Sequence, residues 1–206
     1  MPVQLGVVSQ VWRYPVKSMA GERIGSAEVG WQGIEGDRRW AFLRDDVPRS
    51  DFQWLTIRQR PELALYRPRI DGKRVLVRPP GGEEVDVLEL GLGRALKLNR
   101  GAFDWAPLSL ITTASVGAYD FRRFRPNLLV ESDASEAEWI GAQLEIGGVR
   151  LQVTEPDERC VIVNVDPDTG ERDPSVLKAV APCIGVYATP LCEGGVAEGD
   201  PVLLTR

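Results

Sequence analysis

A single cysteine with an arginine at its shoulder, Arg159-Cys160 in the run EPDERCVIVNVDPDTGERDP (155–174), is the first place in this chain where chemistry could reside. The 206 residues hold three cysteines, Cys160, Cys183 and Cys192, and no histidine. Without histidine the commonest general base, triad partner and metal ligand are missing. The odd cysteine count and the lack of a CxxC pair speak against a disulfide framework, a zinc site and an iron–sulfur cluster. Whatever the protein does must use Cys, Asp, Glu, Lys, Arg, backbone groups or a bound cofactor. An adjacent guanidinium favours the thiolate, the form that acts as nucleophile or soft-metal ligand. Cysteine is also among the most buried residue types. Residue types alone therefore leave Cys160 open between reactive sulfur and core filler.

Other residues suit an anion. YPVKSMAGE places Lys17 and Ser18 after a strand and a proline, where ammonium, hydroxyl and backbone N–H groups could hold a phosphate. A solvated turn would look the same. In GDRRWAFLR the alternation of a strand sends Arg38 and Arg39 to opposite faces, so that one of them shares a face with a given site. In FRRFRPNLLV, Arg125 and Asn127 lie two apart and face one way if extended. Together they could grip a phosphate or a heterocycle edge, or they could end a basic helix. The acids of DPDTGERD read as a turn, because a calcium loop would need its glycine and closing glutamate elsewhere. Trp105, Trp139 and the other aromatics read as core.

The elements that must position these residues are mostly strands. VQLGVVSQVWRYPV, RRWAFLRD, RVLVRPP and EEVDVLEL alternate or are β-branched, with turns at Asp71-Gly72 and Gly81-Gly82. The second half mixes types. A helix is predicted through ASVGAYDFRRF, capped by Thr112 or Thr113. Another opens at the Ser135-x-x-Glu138 capping box, and a third at Asp173-Pro174. RPNLLVE, VRLQVTEP, CVIVNVD, GVYATPL and DPVLLTR read as strands. The Gly-rich stretch near 194 reads as a turn. Character changes near residues 91–107. With a net charge of -5 the chain has no general affinity for nucleic acid or anionic lipid. No run approaches a membrane span, so a cytoplasmic protein with no nucleic-acid or membrane partner is expected.

Seven segments in order, YPVKS, GDRRW, IRQRPEL, PLSLITTAS, FRPNLLVE, ERCVIVNVDPDTGE and GVYA…GDPVLL, resemble the MOSC superfamily. The likeness is to the branch with an N-terminal β-barrel that includes the amidoxime-reducing components. It implies an α+β, mostly β fold, with an N-terminal β-rich domain over 1–92 and a MOSC β-barrel with a few short helices over 93–206. It implies a molybdenum–molybdopterin cofactor with Cys160 as the metal's thiolate ligand. Lys17, Ser18, Arg38, Arg125, Asn127 and Arg159 would hold the pterin and its phosphate. The chain departs from the family pattern at Trp105-Ala106, Val163-Asn164 and Cys183-Ile184.

The resemblance implies reduction of small N-oxygenated compounds (hydroxylamines, amidoximes, N-oxides), with electrons from an external electron-transfer protein. A non-catalytic cofactor carrier or sulfur-delivery module is the alternative. Cys183 and Cys192 are expected to be dispensable, although spacing alone would permit a disulfide between them.

Overall fold

The computed structural model describes residues 2–46 and 53–205. Seven strands form a closed barrel: β1 (Val3–Arg13), β2 (Leu108–Thr112), β3 (Leu128–Glu131), β4 (Gln143–Ile146), β5 (Val149–Glu158), β6 (Cys183–Cys192) and β7 (Pro201–Thr205). Their spatial order is β3-β2-β6-β5-β4-β7-β1, and β1 returns to pair with β3. The β2–β3 pair is parallel, and the other barrel pairs are antiparallel. Alternation in the sequence fills the interior: along β5, Val149, Leu151 and Val153 are fully buried while Arg150 and Thr154 face outward. Val8 and Val11 of β1, Leu110 of β2, Leu128 of β3 and Val186 of β6 join the same core.

The rest of the first half builds a second core beside the barrel. Arg67–Asp71, Arg74–Arg78 and Val85–Asp86 form a three-stranded sheet. Its first hairpin closes where the sequence predicts, with Asp71 opposite Arg74 and Gly72 at φ +58°. Trp40–Phe42 pairs with Ala95–Lys97. Met19, Phe42, Leu63, Val75, Val77 and Val87 pack together here, with Val165 contributed by the second half.

Several elements differ from the sequence reading. The long helix expected over ASVGAYDFRRF is two short pieces. Thr112 Oγ1 caps α1 (Thr113–Val116), Gly117 breaks it at φ +56°, and a 3₁₀ turn follows at Phe121–Arg123. EEVDVLEL pairs only through Val85–Asp86 and then winds into a 3₁₀ turn capped by Asp86. The Ser135 cap opens only a 3₁₀ turn, Glu136–Trp139. The stretch near 194 is a strand, Gly194–Ala197, paired with Ser26–Gly30. A Cβ on Gly194 would lie 2.2 Å from the Gly148 carbonyl oxygen, so glycine permits the close approach. Trp139 is core, but Trp105 is 71% exposed and Trp31 is also exposed.

CVIVNVD is not a strand: Cys160 is the extended residue capping a 3₁₀ turn at Val161–Asn164. The β5–β6 ladder stops because Arg159 N–H donates to the Pro182 carbonyl, and Pro182 has no N–H to continue it. A third apolar cluster, with Val163, Val176, Phe124 and Ile184, clamps this turn against α1 and α2 (Pro174–Val180). As predicted, Asp173 caps α2, its Oδ1 accepting from Ser175 N–H at 2.9 Å.

Candidate functional site

All seven residues singled out from sequence line one cavity of about 390 Å³. Lys17 and Ser18 arrive from the segment after β1, and Arg38 from the turn before Trp40. Arg125 and Asn127 lead into β3, and Arg159 and Cys160 leave β5. Arg39 is excluded, as expected of one member of that pair, although the cause is not strand alternation. Arg38 sits in a turn at φ +51°, while Arg39 bonds outward to Gln32 and the Asn99 carbonyl. Nor is Arg125 extended: its φ is +55°. Ser18, Arg38 and Arg125 are the only described non-glycine residues with positive φ, and all three line this cavity. A left-handed conformation in a non-glycine residue costs on the order of 1–3 kcal/mol and gathers at functional sites.

Tyr14 is the platform for two of these arginines. Its ring is buried, with the Arg125 and Arg38 guanidinium carbons 4.4 and 4.8 Å from its centroid. Its hydroxyl donates to the Pro126 carbonyl at 3.1 Å, and its N–H donates to Asp37 Oδ1 at 2.7 Å. Asp37, fully buried, also pairs with Arg38. Arg38 Nη2 then donates to the Arg125 carbonyl at 3.0 Å, so the two strained residues brace each other. The Asn127 amide serves the same frame: its Oδ1 accepts from Ser109 N–H and Arg38 Nη1, and its Nδ2 donates to the Trp12 carbonyl.

The charges are unequally satisfied. Lys17 Nζ donates to the Ala102 carbonyl at 2.8 Å and pairs with Asp104 at 2.7 Å. Burial draws its ammonium below the ordinary lysine value, against the opposing pull of Asp104. Burial also brings the Arg125 guanidinium down to about 10. Arg125 Nη1 donates to the Met19 carbonyl at 2.6 Å, but Nη2 is buried with no hydrogen-bond partner. An orphaned guanidinium nitrogen on a residue that lines a cavity suits an added acceptor.

Around the sulfur the structure revises the sequence argument. Arg159, though adjacent in sequence, spends Nε and Nη1 on the Ile184 and Phe124 carbonyls, and its Nη2 is ion-paired with Asp157 at 2.9 Å without making a hydrogen bond. The guanidinium hydrogen-bonded to Cys160 is that of Arg58, whose own value rises chiefly through that bond. Sequence reasoning also passed over Tyr14, Asp37, Asp104, Asp157 and Tyr187. Tyr14 and Arg58 lie inside YPVKS and IRQRPEL, so the signal was in hand but unread. Asp157 stands three residues before Cys160 and is buried; Ser109 Oγ donates to it at 2.8 Å. Among the described residues no three of Cys, Asp and Glu gather into a metal-ligand cluster.

This arrangement can seat a multiply charged anion among six cations, Lys17, Arg38, Arg58, Arg123, Arg125 and Arg159, offset by Asp104, Asp157 and Glu158, with one sulfur at its side. Two family models match the chain: the MOSC N-terminal beta barrel domain over residues 5–97 and the MOSC domain over residues 104–203. The chain belongs to the MOSC family. Mitochondrial amidoxime reducing component 2 of Homo sapiens is 25% identical, aligned over 97% of this chain and 83% of its own length. The Bos taurus protein of that name is 24% identical with the same coverage. Molybdenum cofactor sulfurase of Drosophila grimshawi is 25% identical over 94% of this chain but 34% of its own. Among solved structures, the YUAD protein from Bacillus subtilis superposes with a TM-score of 0.56 at 11% identity, covering 99% of this MOSC chain and 98% of its own. Among the described residues no helix of this MOSC protein is long and apolar enough to cross a membrane.

Proposed function

We propose that this MOSC protein is a molybdenum-cofactor reductase of small N-oxygenated compounds, with Cys160 as the protein's ligand to the metal. The observation that carries the cofactor assignment is the buried, unpartnered Arg125 Nη2 in a cavity where three non-glycine residues hold positive φ. The donor set fits molybdopterin. Lys17, Ser18, Arg38 and Arg125 would take its phosphate and pterin oxygens, and the lone thiolate suits a soft metal whose other ligands come with the cofactor. When bound, the group would supply a two-electron centre able to accept an oxygen atom.

The chain's own residues do the rest. Arg58 steadies the Cys160 sulfur by its hydrogen bond, and Asp37 and Tyr14 fix the two strained arginines. Glu158, Arg58 and Asp104 form the exposed rim through which a small substrate would enter. Electrons would come from an external electron-transfer protein. The names of the amidoxime-reducing relatives support the reaction class. The sulfurase relative supports a second reading, a cofactor carrier or sulfur-delivery module.

The test uses protein made in cells that synthesise the cofactor. Elemental analysis should find molybdenum, and the loaded protein should reduce a hydroxylamine with an artificial reductant. Metal without turnover favours the carrier. Absence of metal from protein expressed with abundant cofactor removes both readings.

A further inference from the structure

Reduction of a hydroxylamine breaks one N–O bond and consumes two electrons and two protons, giving an amine and water. The electrons come from the external one-electron donor, acting twice. The protons need a source, and this chain has no histidine. A positioned acid on the cavity wall would speed delivery of the first.

We propose that Asp157 is the proton-holding group of the site, giving one proton to the departing oxygen and regaining it through Tyr187. This rests on the reductase reading above. Asp157 is 4% exposed, lines the cavity and precedes Cys160 by three residues. Its surroundings come from several elements. Ser109 Oγ of β2 donates to Oδ2 at 2.8 Å, and Arg159 Nη2 lies 2.9 Å from the same oxygen. Tyr187 of β6 shares the cavity wall with it and lowers its value through the hydroxyl, Arg38 acts at longer range, and the thiol of Cys183 on β6 feels its charge.

Burial is the largest influence and favours the neutral acid, outweighing Arg159, Ser109, Tyr187 and Arg38, so the carboxyl sits above its ordinary value. Tyr187 also lines the cavity and is only partly buried, so it joins Asp157 to solvent. Lys17 and Asp104 are tied to each other, which leaves Asp157 as the buried carboxyl of the wall able to carry a proton. When Asp157 ionises, Arg159, Ser109 and Tyr187 stand ready to stabilise the carboxylate, and a second proton enters from solvent.

The experiment measures kcat against pH for molybdenum-loaded wild type, Asp157→Asn and Tyr187→Phe, with metal content determined for each. Wild-type kcat should fall with rising pH as Asp157 ionises. Asp157→Asn should lose that limb and about 100-fold in kcat, the low end for a positioned acid, with metal and KM retained. Tyr187→Phe removes a donor to the carboxylate, so the limb should move to higher pH. Carboxyl ¹³C titration of the metal-free protein should find Asp157 above the usual aspartate range, whatever the variants do.

An unchanged profile in both variants, or a carboxyl titrating at or below the usual range, overturns the proposal while leaving the reductase reading intact. Loss of metal in Asp157→Asn makes Asp157 a cofactor-holding residue and likewise overturns it. A loaded wild type that reduces nothing overturns the reading on which the proposal rests.

Discussion

Cys160 and Arg125 carry most of the functional argument, and they fail in different ways when changed. Cys160→Ser keeps nearly the same volume but replaces a soft donor with a hard, protonated one, so reduction should vanish while the fold persists. Full turnover of that variant with metal bound would remove the ligand assignment. Arg125 is a fork with one empty tine. Arg125→Lys keeps the charge and loses the fork, forfeiting about 1.5–3 kcal/mol of charge-assisted bonding to an anion. Cofactor retention on dialysis, read as pterin fluorescence and metal per chain, should therefore drop by 10-fold or more on that principle. The melting temperature of the metal-free protein should fall only by what the Met19 bond and the Tyr14 stack contribute, because the bond to the anion is absent there already. Equal retention by the two proteins would mean that Arg125 braces the Met19 loop and nothing else. Cys183 and Cys192 lie at the two ends of a ten-residue strand, roughly 30 Å apart, which disposes of the disulfide that spacing allowed. The Cys183 thiol is pushed up by burial and by Glu158 and Asp157, and Cys192 accepts from Arg150 N–H. The double change to alanine should keep molybdenum and most activity; loss of metal from a folded double variant would require a second sulfur.

At the scale of elements, β1, β3, β5, β6 and β7 were legible because alternation and β-branching report a half-buried ladder directly, whereas β2 carried no such signal and β4 falls in the stretch read as a helix opening at Ser135. Of the short helices, α2 was legible through Asp173-Pro174 and the others were not. Gly117 breaks one at a position whose φ no pattern reveals, and a proline twenty-two residues downstream decides that Cys160 leaves the ladder. The site residues were legible as types, yet their reasons were misread. Arg159 was credited with the thiolate because adjacency in sequence is visible and Arg58's approach across the fold is not. Glu136 shows the same limit: the capping-box reading drew the eye to Glu138, while Glu136 is the residue buried. Its Oε2 accepts from Thr112 N–H at 3.0 Å and its Oε1 from Gly185 N–H at 2.6 Å, joining β2 to β6 behind the cavity. Both oxygens are acceptors, so Glu136→Gln must point an amide N–H₂ at a donor. It should cost about 1–3 kcal/mol in denaturant unfolding. A cost near zero would show that Glu136 is not the hub of that corner.

For the molecule as a whole, the decisive strand is the first. β1 comes from the N-terminal half yet closes the barrel of the C-terminal half, pairing Val7 with Glu131 on one side and Val3 with Leu204 on the other. The cavity likewise draws Lys17, Ser18, Arg38 and Arg58 from before residue 92 and Arg125, Asn127, Arg159 and Cys160 from after it. Val165 of the second half is packed into the core of the first. A chain built this way has shared walls, and removing one half leaves the facing edges of β3 and β7 unpaired and the pockets of Val8 and Val11 empty. Unpaired edges of this kind template association with other chains. Residues 93–206 expressed alone should therefore aggregate or remain partly unfolded. The full chain should melt in one transition, with calorimetric and van't Hoff enthalpies in agreement. Co-expression with residues 1–92 should recover soluble complex, since the ladder and core contacts need no peptide bond between the halves. A monomeric, cooperatively folded 93–206 fragment, or two resolved transitions in the intact protein, would mean that β1 decorates a self-sufficient barrel and that the cavity lies between independent domains free to separate.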